Sequence, residues 1–209
     1  MTYLFDFDGT LVDSMPTFAT LMKRILDERG ISYGDDLIKI ITPLGYEGTA
    51  KYYRESLGVE ESEESLVACM HSYAEYAYAN EIGAKPHVIE VLRELRGRGH
   101  SLNVLTASPH SMLDPCLKRL DIYGLFDNVW SCEDFGTTKS DPKIYLMAAQ
   151  KMGVSVDEVI FLDDNFNADR VAKSAGMTVY AVYDESSAEY EREMREAMDR
   201  YILDFSELL

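Results

Sequence analysis

Positive charge is what this chain most lacks: 20 Lys and Arg stand against 37 Asp and Glu, a formal net charge of −17. No basic stripe is available for nucleic acid or an anionic membrane, so neither is expected as a partner. An anionic ligand must instead find locally placed cations. Cysteine is also sparse. Cys69, Cys116 and Cys132 have no metal-ligand spacing, and an odd count argues against a disulfide framework, so a reducing, cytoplasmic setting is expected. No apolar run approaches the roughly 18 residues of a membrane span, and no basic stretch leads into an apolar one at the N-terminus. The chain is expected to begin directly with structure. Repeats and low-complexity tracts are absent too. What is present is an ordinary globular composition, 46% hydrophobic and 27% charged over 209 residues. That length holds one sizeable domain, or a core with a smaller insertion.

Apolar runs that read as strands fall at 3–7, 101–106, 128–131, 159–162 and 178–182, with a short sixth at 201–203. Between most of them lie helical patterns, at 85–98, 112–120, 142–152, 168–175 and 186–198. This alternation predicts an α/β fold, a doubly wound parallel sheet covered on both faces. The rhythm breaks between Val12 and about Pro86, where helical periodicity continues without a strand. Apolar stripes through Met15, Phe18, Leu21, Met22 and Ile25, through Tyr52, Tyr53 and Leu57, and through Leu66, Cys69, Met70, Tyr73 and Ala77 predict an inserted helical cap. The expected division is a core of residues 1–14 and 84–209 and a cap of 15–83, with hinges at 13–16 and 81–86. One proline and two glycines in Thr42-Pro43-Leu44-Gly45-Tyr46-Glu47-Gly48 predict a shaped loop inside the cap that reaches the active site. The acidic run 60–64 reads as a solvated helix start.

Chemistry concentrates where strands end. In Tyr3-Leu4-Phe5-Asp6-Phe7-Asp8-Gly9-Thr10 two acids sit two residues apart. Strand geometry would aim both to one side, where like charges repel unless a cation or proton separates them. Taken alone, the pair also reads as turn punctuation. Phe161-Leu162-Asp163-Asp164 repeats the pattern at the end of another strand. Acids at the carboxyl ends of neighbouring parallel strands converge on the crevice where such sheets bind ligands, and hard oxygen donors in that number suit Mg²⁺. Leu105-Thr106-Ala107-Ser108 brings hydroxyls and turn amides to the same edge, as phosphate contacts or as a helix cap before Pro109. Lys139 precedes a helix; it is either a solvated side chain or part of this site.

In this order, Asp6-Phe7-Asp8-Gly9-Thr10, Thr106, Lys139 and Asp163-Asp164 resemble the four motifs of the haloacid dehalogenase-like (HAD) hydrolase superfamily. The resemblance spans the chain, and the cap is similar to that of the phosphoglycolate phosphatase and β-phosphoglucomutase branch. It implies a Rossmannoid HAD core and a phosphatase acting on a small phosphorylated metabolite: phosphoglycolate, a sugar phosphate or a nucleotide monophosphate. Asp6 would be the nucleophile that becomes an aspartyl phosphate, its free carboxyl having a pKa of about 3.9. Asp8 would pass a proton to the leaving group and take one from water. Thr106, Ala107 and Ser108, with Gly9 and Thr10 of the first turn, would hold the phosphoryl group, and Lys139 would neutralise it. Mg²⁺ would be bound by Asp6, the carbonyl of Asp8 and Asp164, with Asp163 a second ligand or an outer partner. Asp169 fits a family variant carrying a further acid, as a ligand or as an orienter of Lys139.

Asp8 also separates reactions, since dehalogenases of the superfamily lack an acid there. Phosphonatases use a cap lysine, and Lys23, Lys39 and Lys51 match by residue type only. The chain departs from the family at Lys139-Ser140-Asp141-Pro142-Lys143, in place of the commoner Lys-Pro-x-Pro pattern, and at Asp163, where glycine is usual. Substrate choice is expected in the cap, at Gly45, Tyr46, Lys51 and Arg54, and cap closure is expected to exclude water. A β-phosphoglucomutase-like phosphomutase and a non-catalytic module of the same fold are the alternatives. A monomer or homodimer is expected.

Overall fold

A computed structural model describes the backbone of all 209 residues and every side chain except that of Pro43. The chain divides into two compact units, Met1–Ser14 with Ile82–Leu209, and Met15–Glu81.

The first unit is built on six strands: β1 Thr2–Phe5, β2 Ser101–Thr106, β3 Asn128–Ser131, β4 Val159–Asp163, β5 Thr178–Val182 and β6 Arg200–Ile202. They form one sheet in the order β3-β2-β1-β4-β5-β6, and every pairing is parallel. The chain winds outward from β1 in one direction, then returns to β4 on its other side. That reversal puts the ligand-binding crevice at the carboxyl ends of β1 and its neighbours.

Helices α5 Val88–Gly97, α6 His110–Arg119, α7 Lys143–Met152, α8 Phe166–Ala175 and α9 Glu191–Ala197 complete this unit. Side chains alternate across the sheet. Leu4, Leu105, Phe161, Val179 and Ala181 join Ile144, Tyr145 and Ala148 of α7, Ala172 of α8 and Met194 of α9 in one buried cluster. On the opposite face the Phe5 ring lies 5.7 Å from Tyr3, 6.1 Å from Phe205 and 6.4 Å from Phe126. Both faces are therefore covered, which is why the strands read as continuous apolar runs rather than alternating ones.

β1 is shorter than its apolar run suggests. It ends at Phe5, and Asp6 and Asp8 lie beyond it rather than on a strand face. Gly9, at φ +73°, turns the chain so that the amides of Leu11 and Val12 both donate to the Phe7 carbonyl. The same segment pairs with the chain re-entering this unit: the Asp13 amide donates to Gly83, the Lys85 amide donates to Leu11, and Val12 bridges Ala84.

The second unit contains α1 Met15–Asp27, α2 Leu37–Ile41, α3 Gly45–Leu57 and α4 Glu63–Asn80. Leu21, Met22, Ile25 and Leu26 of α1 and Leu66, Met70, Ala74 and Ala77 of α4 are buried. The hydroxyl of Tyr53 in α3 donates to the Met22 carbonyl at 2.9 Å. The expected loop at 42–48 is instead a 3₁₀ turn, Thr42–Leu44, running into α3; the Pro43 side chain lies outside the described residues. Gly45, at φ +66°, redirects the backbone. Gly48 stays helical, and a Cβ there would meet the Leu44 Cβ at 2.8 Å. The glycines mark a bend and a close contact, not a loop.

In the first unit, His110 links the loops that follow β2 and β3. Its Nδ1 lies 2.9 Å from Asp114 and its Nε2 2.9 Å from Asp134, so each nitrogen faces a carboxylate, an arrangement that favours the imidazolium, in which both donate. These bonds, to Asp114 first and then to Asp134, push its pKa up from 6.5. The stabilisation is complete below the unfolded value and is lost as pH rises through the folded one. Urea unfolding of wild type and His110→Gln should therefore differ most in mildly acidic buffer, with the gap closing in alkaline buffer. An equal gap at every pH would show that His110 carries no charge here.

Candidate active site

Four loops at the carboxyl edge of the sheet bring the predicted side chains of the first unit together. Asp6 continues the β1·β4 ladder by one bond, its amide donating to Leu162 at 2.8 Å, and its side chain is buried. Asp163 ends β4 and is fully buried; Asp164 follows it and is 7% exposed. One ligand oxygen from each of Asp6, Asp163 and Asp164 lies within 4.8 Å of the others.

Lys139 supplies the balancing charge. Its Nζ is 2.7 Å from Asp6 Oδ1 and 2.7 Å from Asp163 Oδ2. The second contact is a hydrogen bond, whereas the first is an ion pair without hydrogen-bond alignment. The Tyr145 hydroxyl, 3.2 Å from the Lys139 carbonyl and 3.1 Å from that of Ala168, ties the lysine's loop to α8. Burial alone would lower the Lys139 pKa, but Asp163 and Asp6 outweigh it and hold the ammonium well above its ordinary value.

The acids are under strain from one another. Burial, then Asp163, pushes the Asp6 pKa well up, only partly offset by Lys139. Asp164 is raised to about 7, by burial first and then by Asp163 and Asp184, against a hydroxyl bond from Thr10 at 2.9 Å. A cation among these oxygens would relieve that repulsion, and buried hard-oxygen donors match the preference of a divalent metal ion. Asp163 is the least available donor, since its Oδ1 accepts the Asn165 amide at 2.7 Å and its Oδ2 is held by Lys139. Asp169 is fully buried in α8, and neither of its side-chain oxygens has a hydrogen-bond partner among the described residues.

Asp8 is half-buried, and its Oδ2 accepts the Ser108 hydroxyl at 2.6 Å. Thr106 is buried, and its Oγ1 accepts the Ser108 amide at 3.1 Å. Ser108 is thus engaged with both neighbours, its amide with Thr106 and its hydroxyl with Asp8. Gly9 backs onto the acid cluster, where a Cβ would meet Asp164 Oδ2 at 2.5 Å.

Gly45, Tyr46 and Lys51 belong to the second unit. Tyr46 stacks on Phe18, with ring centroids 6.4 Å apart, and meets the His71 ring edge-on at 4.7 Å. Lys51 is 4.0 Å from Glu55, and Arg54 is 3.1 Å from Glu63. Residues not singled out from the sequence include Tyr145, Asp184 and Lys85. In the sequence Lys85 belongs only to an expected hinge and the start of a helical pattern, and nothing local marks the buried tyrosine.

The profile of the haloacid dehalogenase-like hydrolases matches residues 1–176. The chain belongs to that family and is an enzyme, a hydrolase. It is 26% identical over 180 residues to a phosphorylated carbohydrates phosphatase of Thermotoga maritima, covering 86% of this chain and 83% of that one. It is 29% identical over 197 residues to the phosphoglycolate phosphatase of Escherichia coli K12, covering 82% and 77%. Among solved structures, a β-phosphoglucomutase candidate from Thermotoga maritima superposes with a TM-score of 0.85 at 23% identity, covering 100% and 96%. A family hydrolase from Deinococcus radiodurans, solved with phosphate and sodium, gives 0.79 at 20% identity, covering 99% and 92%.

The tightest steric constraint in the site lies at Gly9. Left-handed strain in an alanine costs about 1–2 kcal/mol, and the added methyl also meets the Asp164 carboxylate. Chemical denaturation of Gly9→Ala should show a larger loss than the strain alone. A loss no greater than the strain would mean that Asp164 moves aside freely.

Proposed function

We propose that this hydrolase is a Mg²⁺-dependent phosphatase of small phosphorylated metabolites, working through an aspartyl phosphate on Asp6. The observation that carries the reading is the Lys139 ammonium, 2.7 Å from both Asp6 and Asp163, which puts a fixed positive charge beside a buried nucleophile. An Asp6 oxygen attacks phosphorus, an O–P bond forms, and the ester O–P bond breaks. The leaving oxygen takes a proton from Asp8, whose carboxyl is oriented by the Ser108 hydroxyl. Water then attacks phosphorus, gives its proton to Asp8 and releases Asp6 with inorganic phosphate. The Thr106 hydroxyl and the turn at Ala107 hold the transferred group, with Gly9 and Thr10 shaping the opposite turn. Lys139 offsets the charge that accumulates between phosphate and nucleophile.

Asp6, Asp164 and the Asp8 carbonyl are the residues that would hold Mg²⁺, leaving Asp163 as the partner of Lys139. Bound there, the ion would shield carboxylate from phosphate and polarise the phosphoryl oxygens. Gly45, Tyr46 and Lys51 of the helical unit are proposed to select the substrate. The names of the curated relatives favour a phosphorylated carbohydrate or phosphoglycolate.

Phosphate release from a panel of sugar, glycolate and nucleotide monophosphates with Mg²⁺ should disappear in Asp6→Asn. Undiminished release would sink the nucleophile assignment, and isomerised sugar phosphate in place of free phosphate would point to a mutase. Ser108→Ala should keep the substrate KM and lower kcat by up to the 10²–10⁴-fold that positioned acid–base catalysis typically supplies. A change in KM alone would make Ser108 a phosphate contact instead.

A further inference from the structure

Lys85 lies just after the chain returns from the helical unit, and its side chain is only 15% exposed. An ammonium has three donors, and three oxygens receive them: the Gly9 carbonyl at 2.7 Å, the Tyr183 carbonyl at 2.6 Å and Asp184 Oδ2 at 3.0 Å. The nest is itself held by further bonds. Asp184 has a 7% exposed side chain, and its other oxygen accepts the Ser186 amide at 2.9 Å and the Ser186 hydroxyl at 2.6 Å. The Lys85 backbone is held as well, its amide donating to Leu11.

Gly9 gives this contact its consequence. It follows Asp8 directly and packs so closely on Asp164 that no Cβ fits. Whatever fixes the Gly9 carbonyl also fixes where the first turn meets the Asp164 carboxylate. We propose that Lys85 is a positioning residue for the metal site, a tethered cation that locks the Asp8-Gly9 turn against Asp164 by binding the Gly9 carbonyl and the Tyr183-Asp184 loop. The role rests on the reading of Asp6, Asp164 and the Asp8 carbonyl as metal ligands. A lysine serving only to neutralise Asp184 would not need the Gly9 carbonyl.

The test is direct Mn²⁺ binding by electron paramagnetic resonance on full-length wild type, Lys85→Met and Lys85→Arg, with kcat and substrate KM measured alongside. Outer partners of metal sites typically contribute 10–100-fold to affinity or activity. Lys85→Met should raise the Mn²⁺ dissociation constant by about that factor and lower kcat with little change in substrate KM. Lys85→Arg keeps the charge beside Asp184 and should fold, yet its planar fork does not reproduce a single nitrogen between three oxygens, so Mn²⁺ binding should weaken there too. Wild-type Mn²⁺ affinity in Lys85→Met, or in Lys85→Arg if the methionine variant does not fold, overturns the proposal. Wild type that binds Mn²⁺ but releases no phosphate would overturn the phosphatase reading and leave this one standing; wild type that binds no Mn²⁺ would overturn both.

Discussion

Everything at the carboxyl edge of the sheet depends on one ammonium held among carboxylates. Asp6, Asp163, Asp164 and Asp169 are all buried within one small region, and desolvation and repulsion together favour the neutral forms of Asp6, Asp164 and Asp169. Lys139 is the cation that contacts two of them, Asp6 and Asp163. Removing one partner of a buried pair typically costs 3–5 kcal/mol, because the other charge is stranded. The arrangement persists because it does not stand alone: Tyr145 holds the Lys139 backbone, Asn165 holds Asp163, and Thr10 holds Asp164. The first of these bonds fixes the lysine's loop, and the other two fix the direction of an acid that repulsion would otherwise swing away.

The sheet sets the level at which these groups meet. In the register, Phe5 faces Val104 on one side and Leu162 on the other, so Asp6 and Asp163, each one residue further on, stand side by side. Thr106, the last residue of β2, extends two residues past Val104 and so reaches the level of the turn that follows β1. Ending β1 at Phe5 frees Phe7 to accept two amides and Gly9 to take positive φ. A strand continued to Phe7 would have carried Asp8 along the ladder and away from Ser108. The early end of the strand is therefore part of the site.

Much of this was legible in the sequence, for identifiable reasons. A parallel sheet covered on both faces demands continuous apolar strands, and all six were visible, most with bounds within a residue or two. The acids and Thr106 stand at the ends of apolar runs, where a ligand site must lie, whereas Lys139 follows no such run and gains meaning only from the company of the other motifs. Four features are hidden in the sequence. The end of β1 was hidden because Phe7 is as apolar as Phe5, although Phe7 is buried in a turn. The helical start at Gly45 was hidden because glycine signals a break, while Gly48 is present to admit Leu44. Ser108 as the partner of Asp8 joins residues 100 positions apart, and Lys85 as the partner of Gly9 joins residues 76 apart. Such pairings are made by topology, which no local pattern encodes.

The helical unit resists the same reading because its polar residues largely satisfy one another. Arg29 binds Glu61, Arg24 binds Glu28, and Arg54 binds Glu63. Tyr46 offers its ring to Phe18 and His71 of its own unit, which competes with stacking on a sugar or base. Lys51 differs: it is 61% exposed and only 4.0 Å from Glu55, a pairing that exposed geometry makes weak. In a chain of net charge −17, a cation so loosely held costs little to redirect toward an anion. On the proposed function, recognition of a second negative group on the substrate would fall more naturally to a weakly paired cation such as Lys51 than aromatic stacking would to Tyr46.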